Sequence, residues 1–397
     1  MDDLLLLVHR IPYPPNKGDK IRSYHLLRHL AARYRVHLGT FVDDPDDWQH
    51  VERVRALCAG SHFAKLDPKL ARLRSLGALA AGHALSFDYY RDAGMREWVE
   101  RTMQERRIER VVVFSSPMAQ YVTPYAQARR VIDFCDVDSD KWRQYAEQKP
   151  WPMSWLYRRE ARTLLAYERE VARQCDSALF ATEPEAQLFR QLAPESDAKI
   201  GHFNNGVDTE YFSPAHAYVN PYADGERAVV FTGAMDYWPN VDAVQWFCDE
   251  VFPRLRERLP DLRFYVVGAR PTPQVQALAG RPGVTVTGTV PDVRPYLAYA
   301  AVSVAPLRVA RGIQNKVLEA MAMALPVVVT PQALEGVKAE PGADLLLADG
   351  AEPFAQAVLR VLGADDQALR ARARERVEQH YSWPSNLANI EARLECN

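Results

Sequence analysis

Lys316 and Glu319 stand three residues apart in QNKVLEAMA, at the start of a stretch with helical periodicity. A lysine in a first helical turn meets the positive end of the helix dipole, which disfavours it by about 0.3–1 kcal/mol. Lysine ahead of glutamate is also the weaker order for a helical ion pair, which is worth only about 0.2–0.5 kcal/mol. Both oddities vanish if a diphosphate occupies the helix N-terminus, where unsatisfied N–H groups favour an anion. Lys316 is then a phosphate ligand. Glu319, one turn further along the same face, accepts hydrogen bonds from ribose hydroxyls. The plainer alternative is a surface ion pair with no ligand.

Other loops carry residues suited to the same chemistry. Gly18, in IPYPPNKGDKIR, lets backbone approach a ligand closely, and Lys17, Lys20 and Arg22 add positive charge beside the next helix start. A solvated basic turn is the alternative there. Gly233, in FTGAMDYWPN, offers a phosphate the same close approach, with Trp238 either capping a pocket or packing the following helix. Beyond Gly288, the backbone of Thr289 and Val290 could read the edge of a base. Asp138 ends the triplet DVD and is a candidate partner for an acceptor hydroxyl, against a solvated loop carboxylate. No G-x-G-x-x-G follows the first strand of either half, which argues against NAD.

Elements that could position these loops are visible as apolar runs alternating with helical periodicity, the pattern of parallel βα units. Strands are predicted over 4–8, 36–41, 111–114, 131–134, 178–181 and 199–203, then over 228–232, 262–267, 284–287, 302–305, 326–330 and 344–347. Helices are predicted over 19–34, with Ile21, Tyr24, Leu27 and Leu30 on one face, over 154–173, and over 314–323. The fold class is α/β, with two doubly wound Rossmann-like domains facing a cleft. The expected domains are 1–206, a linker over 207–225 around the turn signal NNGVD, 226–380, and a C-terminal helix over 381–397 that crosses back to the first. Open parallel sheets bind ligands at the carboxyl ends of their strands.

Composition bounds the function. At 397 residues, 48% hydrophobic and 25% charged, the chain is ordinary globular protein of two-domain size. A net charge of −2 gives no overall pull toward nucleic acid, and none is expected as a partner. The five scattered cysteines read as reduced thiols and not as a zinc site. The opening MDDLLLLVHR has acidic residues where a signal peptide needs basic ones, so it is read as a core strand of a cytoplasmic protein.

LRVARGIQNKVLEAMA, FTGAMDYWPNVDA, VTGTVPDVRPYL, the NNGVD linker and the terminal SW turn together resemble the GT-B fold glycosyltransferases of family 4. HRIPYPPNKGDKIRSYHLLRHLA and DFCDVDSDKWRQYA resemble, more narrowly, the sugar transferases associated with exosortase/PEP-CTERM exopolysaccharide loci. The resemblance implies transfer of a sugar, with retention of configuration, from a UDP- or GDP-linked donor to a glycan or polyprenyl-linked acceptor. It implies no cofactor and no metal, the metal-chelating D-x-D being a feature of the other glycosyltransferase fold. Lys316 matches the family's diphosphate-binding lysine, Glu319 the second glutamate of its Glu-x7-Glu motif, and Gly18 the first-domain glycine near the reacting centre. Arg311 stands where the first glutamate of that motif belongs. Arg311 and Arg308, in the loop ending at Gly312, are therefore read as contacts to the diphosphate, to an acidic sugar or to an acceptor phosphate. A nucleotide-sugar 2-epimerase of the same fold and a non-catalytic nucleotide-sugar-binding subunit are the alternatives.

Two stretches of the first half mix cations with large apolar residues. Leu70, Leu73, Leu76 and Leu79 interleave with Lys69, Arg72 and Arg74, and Trp142, Trp151, Trp155 and Tyr157 lie among basic residues. Such mixtures suit peripheral contact at a membrane surface; an ordinary amphipathic helix and a packed aromatic cluster are the alternative.

Overall fold

A computed structural model describes residues 1–15, 18–147, 149–310, 313–364 and 366–395, and only the backbone at Ala80 and Ala81. Lys17, Arg311, Gly312 and Cys396 lie outside the described residues. The chain divides into two compact units, Met1–Asn204 with Leu387–Asn397, and Asn205–Asn386.

Among the described residues the first unit holds a parallel sheet of β1 (Asp3–Val8), β2 (Arg35–Val42), β3 (Gly60–Lys65), β4 (Arg110–Phe114), β5 (Arg129–Cys135), β6 (Ser177–Phe180) and β7 (Ile200–His202). Its strand order is β3-β2-β1-β4-β5-β6-β7. Leu4 on β1 lies opposite both Val36 and Arg110. Both faces of a central parallel strand are covered by helices, so β1 reads as a continuous apolar run and is buried from Leu4 to Val8. β3 was not expected from sequence. Its residues, GSHFAK, hold no apolar run, and as an edge strand it buries only Ala64.

The second unit repeats the plan with β8 (Ala228–Thr232), β9 (Arg263–Val267), β10 (Val284–Gly288), β11 (Val302–Ala305), β12 (Val327–Val329) and β13 (Leu346–Leu347), in the order β10-β9-β8-β11-β12-β13. In each sheet the order reverses at one place, between β1 and β4 and between β8 and β11. At such a switch point neighbouring loops diverge to opposite faces and leave a crevice. The final helix, Trp383–Glu395, joins the first unit from Leu387 onward. There the Arg393 guanidinium donates to Ser177 Oγ at 2.6 Å and its carbonyl accepts from Arg129 at 3.0 Å.

The helix after β1, Gly18–Ala31, is rotated from the face expected. It buries Lys20, Arg22, Ser23, Leu26, Leu27 and Leu30, and leaves Ile21 and Tyr24 half-buried. The reason is Arg22, whose guanidinium donates to Asp133 at 2.7 and 3.1 Å and to the Phe203 carbonyl at 3.0 Å. It also lies 3.4 Å over the Phe203 ring. A two-pronged arginine–carboxylate bond of this kind fixes both partners in direction. Arg22 therefore braces the sheet and adds no charge to the loop before it.

Breaking such a pair leaves an uncompensated buried charge, at a cost of about 3–5 kcal/mol. Asp133→Ala and Arg22→Met should each destabilise by that order in urea denaturation. The double variant Arg22→Met/Asp133→Leu should be less destabilised than either single change, because it leaves no orphaned charge.

Candidate functional site

The second unit's switch point brings together the loop after β8 and the helix after β11. Gly233 follows β8, Gly268 follows β9 and Gly288 ends β10. Their backbones are linked in turn: Gly233 N–H donates to Val267 at 3.1 Å, and Gly268 N–H to Gly288 at 3.2 Å. A Cβ on Gly268 would lie 1.7 Å from the Gly233 carbonyl oxygen, so no side chain is admissible there. A Cβ on Gly233 would lie 2.7 Å from Asn240 Nδ2 and 3.4 Å from Lys316 Cε. The two glycines thus let the loop close directly onto Asn240 and Lys316.

Asn240 lies in the first turn of the helix Trp238–Trp246 and is 4% exposed. Its Nδ2 donates to the Ala234 carbonyl at 2.9 Å, which fixes the loop, and its Oδ1 accepts from Lys316 Nζ at 2.6 Å. Lys316 belongs to the helix Asn315–Ala322, the segment expected to carry it, and its ammonium also lies 4.9 Å over the Phe231 ring. The cap residue Gln314 gives no side-chain oxygen to the N–H groups of that helix, although its carbonyl accepts from Val317 at 2.9 Å and from Leu318 at 3.4 Å. The positive end of the helix dipole lies at this end.

Lys316 and Glu319 are half-buried, and among the described residues no ion pair joins them, so the plainer reading of a surface pair fails. Burial lowers the Lys316 ammonium to about 8, with the Glu319 charge opposing the change only in part. Burial likewise raises the Glu319 carboxyl to about 7 against the pull of Lys316. No described side chain donates to the Glu319 carboxylate. A half-buried cation held by a neutral amide, beside an acid with spare lone pairs, is an arrangement suited to an anion and a hydroxyl.

Arg308, on the loop after β11, stands at the same switch point. Its fork is occupied by Asp242, with Nε 3.0 Å from Oδ2 and Nη2 bonded to Oδ1. Asp242 follows Asn240 by two residues on one helix. Thr289, exposed, and Val290, half-buried, follow β10, three positions from β11 along the sheet. At the usual spacing of strands that is roughly 14 Å, the far end of the same edge. Trp238 is 60% exposed and does not pack the helix it opens.

In the first unit the candidates are dispersed. Gly18 opens its helix with nothing within 4 Å of where a Cβ would stand. Lys20 is 3% exposed, with its ammonium 2.5 Å from Asp47, so its charge is spent internally. Asp136 and Asp138 hold Lys141 at 2.7 and 3.1 Å, which accounts for the DVD triplet. Among the described residues no group of three or more His, Cys, Asp or Glu could hold a metal. Trp142 packs on Tyr157 with ring centres 5.0 Å apart and so knits two helices, whereas Arg72 and Trp155 are exposed. At this unit's switch point stands a residue not singled out from sequence, His9. Its ring lies parallel to Phe114 at 5.7 Å, and its Nε2 is 3.5 Å from Asp19. Burial raises the Asp19 carboxyl, but His9 and Arg10 outweigh that and hold it well below the usual carboxylate range.

Residues 226–364 match the family described as "Glycosyl transferases group 1". The whole chain is similar in structure to a glycosyltransferase from Rickettsia africae, with a TM-score of 0.69, 13% identity and coverage of 100% of this chain and 99% of that one. It is also similar to sucrose-phosphate synthase from Thermosynechococcus elongatus, at 0.66, 16%, and 98% of each chain. Anabaena HepE in complex with UDP gives 0.64, 13%, and 99% of each chain. The fold is GT-B. No curated protein sequence matches the chain. The matched family segment covers the Lys316 site of this GT-B chain.

Asn240→Ala removes both the acceptor for Lys316 and the donor to the loop. It should lower stability by about 1–3 kcal/mol in urea denaturation. Gly268→Ala must displace backbone and should cost more than about 4 kcal/mol. A Gly268→Ala protein as stable as the parent would contradict this packing.

Proposed function

We propose that the chain transfers a sugar from a nucleoside diphosphate sugar to a hydroxyl acceptor, with the second unit holding the donor. The observation that carries this reading is the half-buried Lys316–Glu319 set at the switch point of the second sheet, which among the described residues has no ion pair. Lys316 and the start of its helix neutralise the leaving diphosphate from a preorganised, half-buried position. The backbone at Gly233 lies against the same phosphates. Glu319 accepts from the ribose hydroxyls, and Thr289 and Val290 read the base. Lys316 matching the diphosphate-binding lysine of family 4 supports the reading, as does the UDP held by the Anabaena neighbour of the same fold. UDP is therefore the first nucleotide to test, and GDP the second.

The transfer retains configuration. The leaving diphosphate takes the proton of the incoming hydroxyl on the face it leaves, so no protein nucleophile is used and no metal is required. Arg308 and Arg311 contact the diphosphate or an acidic group, and Gly18 and Asp138 serve the acceptor. The acceptor is a glycan or a polyprenyl-linked glycan of exopolysaccharide synthesis, of the exosortase-associated kind. For this last step the sequence resemblance of the first half is the support.

UDP, GDP and their sugars should be compared by thermal shift, where a ligand at 100 times its dissociation constant stabilises by about 2.7 kcal/mol. Lys316→Ala should weaken the best ligand by roughly tenfold or more, a loss of about 1.4 kcal/mol or more. If it binds as tightly as the parent, the donor site is misassigned. The pH dependence has a fixed sign. Affinity should fall below about pH 7, as Glu319 takes up a proton and loses acceptor capacity. It should fall again above about pH 8, as Lys316 gives up its charge. Mass spectrometry of the protein turning over its donor should show no covalent glycosyl adduct.

A further inference from the structure

Two short helices of the first unit, Pro68–Ser75 and Ala78–Ala81, are packed inside out. The side chains they bury are small, Ala71, Ser75 and Ala78. The leucines on these helices and on the link between them point away from the protein: Leu70 is 65% exposed, Leu73 67%, Leu76 50% and Leu79 36%. A helix whose apolar residues served the core would show the opposite arrangement. Capping does not explain the segment either, since the Asp67 side chain already accepts from Lys69 and Leu70.

A second apolar set adjoins this one. The Arg159 guanidinium, on the helix Met153–Gln174, donates to the carbonyls of Ala78 at 2.8 Å and His83 at 3.1 Å. Glu160 accepts from the N–H groups of Leu85 and Ser86 at 2.8 and 3.2 Å. The start of that helix is thereby fixed against the leucine segment, and it carries Trp155, 54% exposed, just after Trp151, 79% exposed. Exposed apolar groups gathered in one region of a protein mark a surface meant to be covered.

Charge identifies what covers it. From Pro68 to Phe87, and again from Lys149 to Arg159, the sequence contains no acidic residue. Lys69, Arg72, Lys149 and Arg158 are exposed within or beside these stretches. Within these stretches the charged residues are all cations, and leucine and tryptophan among cations are complementary to a layer with an apolar interior, a polar boundary that accommodates indole, and anionic phosphates at its surface.

We propose that this face of the first unit docks on an anionic phospholipid bilayer. The four leucines, Trp151 and Trp155 enter the boundary between headgroups and acyl chains, and the flanking lysines and arginines hold lipid phosphates. The inference uses no residue of the donor site, so either can fail without the other. Among the described residues no helix is long and apolar enough to cross a membrane, and the docking is peripheral.

Co-sedimentation of the full chain with vesicles decides it. Vesicles of equimolar phosphatidylglycerol and phosphatidylcholine should bind the chain at low salt, and vesicles of phosphatidylcholine alone should bind it far less. Raised salt should weaken the binding, since screening shortens the reach of surface charge. Leu70→Ser/Leu73→Ser/Leu76→Ser should reduce binding by about tenfold or more. Lys69→Gln/Arg72→Gln should abolish much of the preference for anionic vesicles. Both variants should keep the parent's thermal unfolding, because the replaced side chains touch solvent. Absence of binding to anionic vesicles at low salt overturns the proposal, as does equal binding by the leucine variant. Sedimentation velocity without lipid supplies the other occupant: a dimer that the leucine variant abolishes, with no vesicle binding, assigns the face to a second copy of the chain.

Discussion

The bond from the Lys316 ammonium to the Asn240 amide sets the terms for the second unit. A cation drawn out of water must be compensated, and a carboxylate partner would neutralise it. Here the partner is a neutral amide, which satisfies one proton of the ammonium and leaves its charge uncancelled. Asn240 can serve only if its other end is satisfied, and it is, by the Ala234 carbonyl. That carbonyl reaches it only because the loop after β8 lies flat against β9, with Gly233 and Gly268 in backbone contact. The glycines, the loop and the buried asparagine follow from keeping one charge dry and available.

The first unit shows the opposite electrostatic solution on the same topology. Among the described residues, its basic side chains Arg22, Lys20 and Arg10 near the first switch point are paired with acids: Arg22 with Asp133, Lys20 with Asp47, and Arg10 with Asp19 and Asp43. Those pairs lend stiffness to the helix after β1 and leave these cations no free charge for an incoming anion. Two sheets of one strand order therefore differ in what their crevices attract. The proposed function places the anionic leaving group at the second.

What the sequence shows of this depends on whether the responsible forces are local. Buried parallel strands announce themselves as apolar runs, which is why β8 and β11 are legible at their ends. β3 is not, because an edge strand needs no apolar run. That Lys316 and Glu319 share one helix is legible from local periodicity, and their reading as a donor site rests on an order that offends a local rule. Asn240 is not, since an asparagine after Trp238 and Pro239 offends nothing until Lys316 approaches it across 76 residues. Gly268 is likewise silent, because its constraint is the Gly233 carbonyl on the neighbouring strand. The face of the helix after β1 was misread for a related reason: a long-range bond to Asp133 overrode the apolar stripe that local periodicity favoured.

The leucines over 70–79 extend this argument to its limit. Their spacing is the same signal that marks a core-facing helix, and periodicity alone cannot tell which side the core is on. The discriminating residues are the small ones. Alanine and serine at 71, 75 and 78 allow close approach of the helix to the protein, and the space they leave is too shallow for leucine. Once the small face is fixed inward, the large face has no choice but to point out, and Arg159 holds it there by binding the carbonyls of Ala78 and His83. Exposure of those leucines is thus imposed by packing on the opposite side of the same helices, and is part of the folded structure itself.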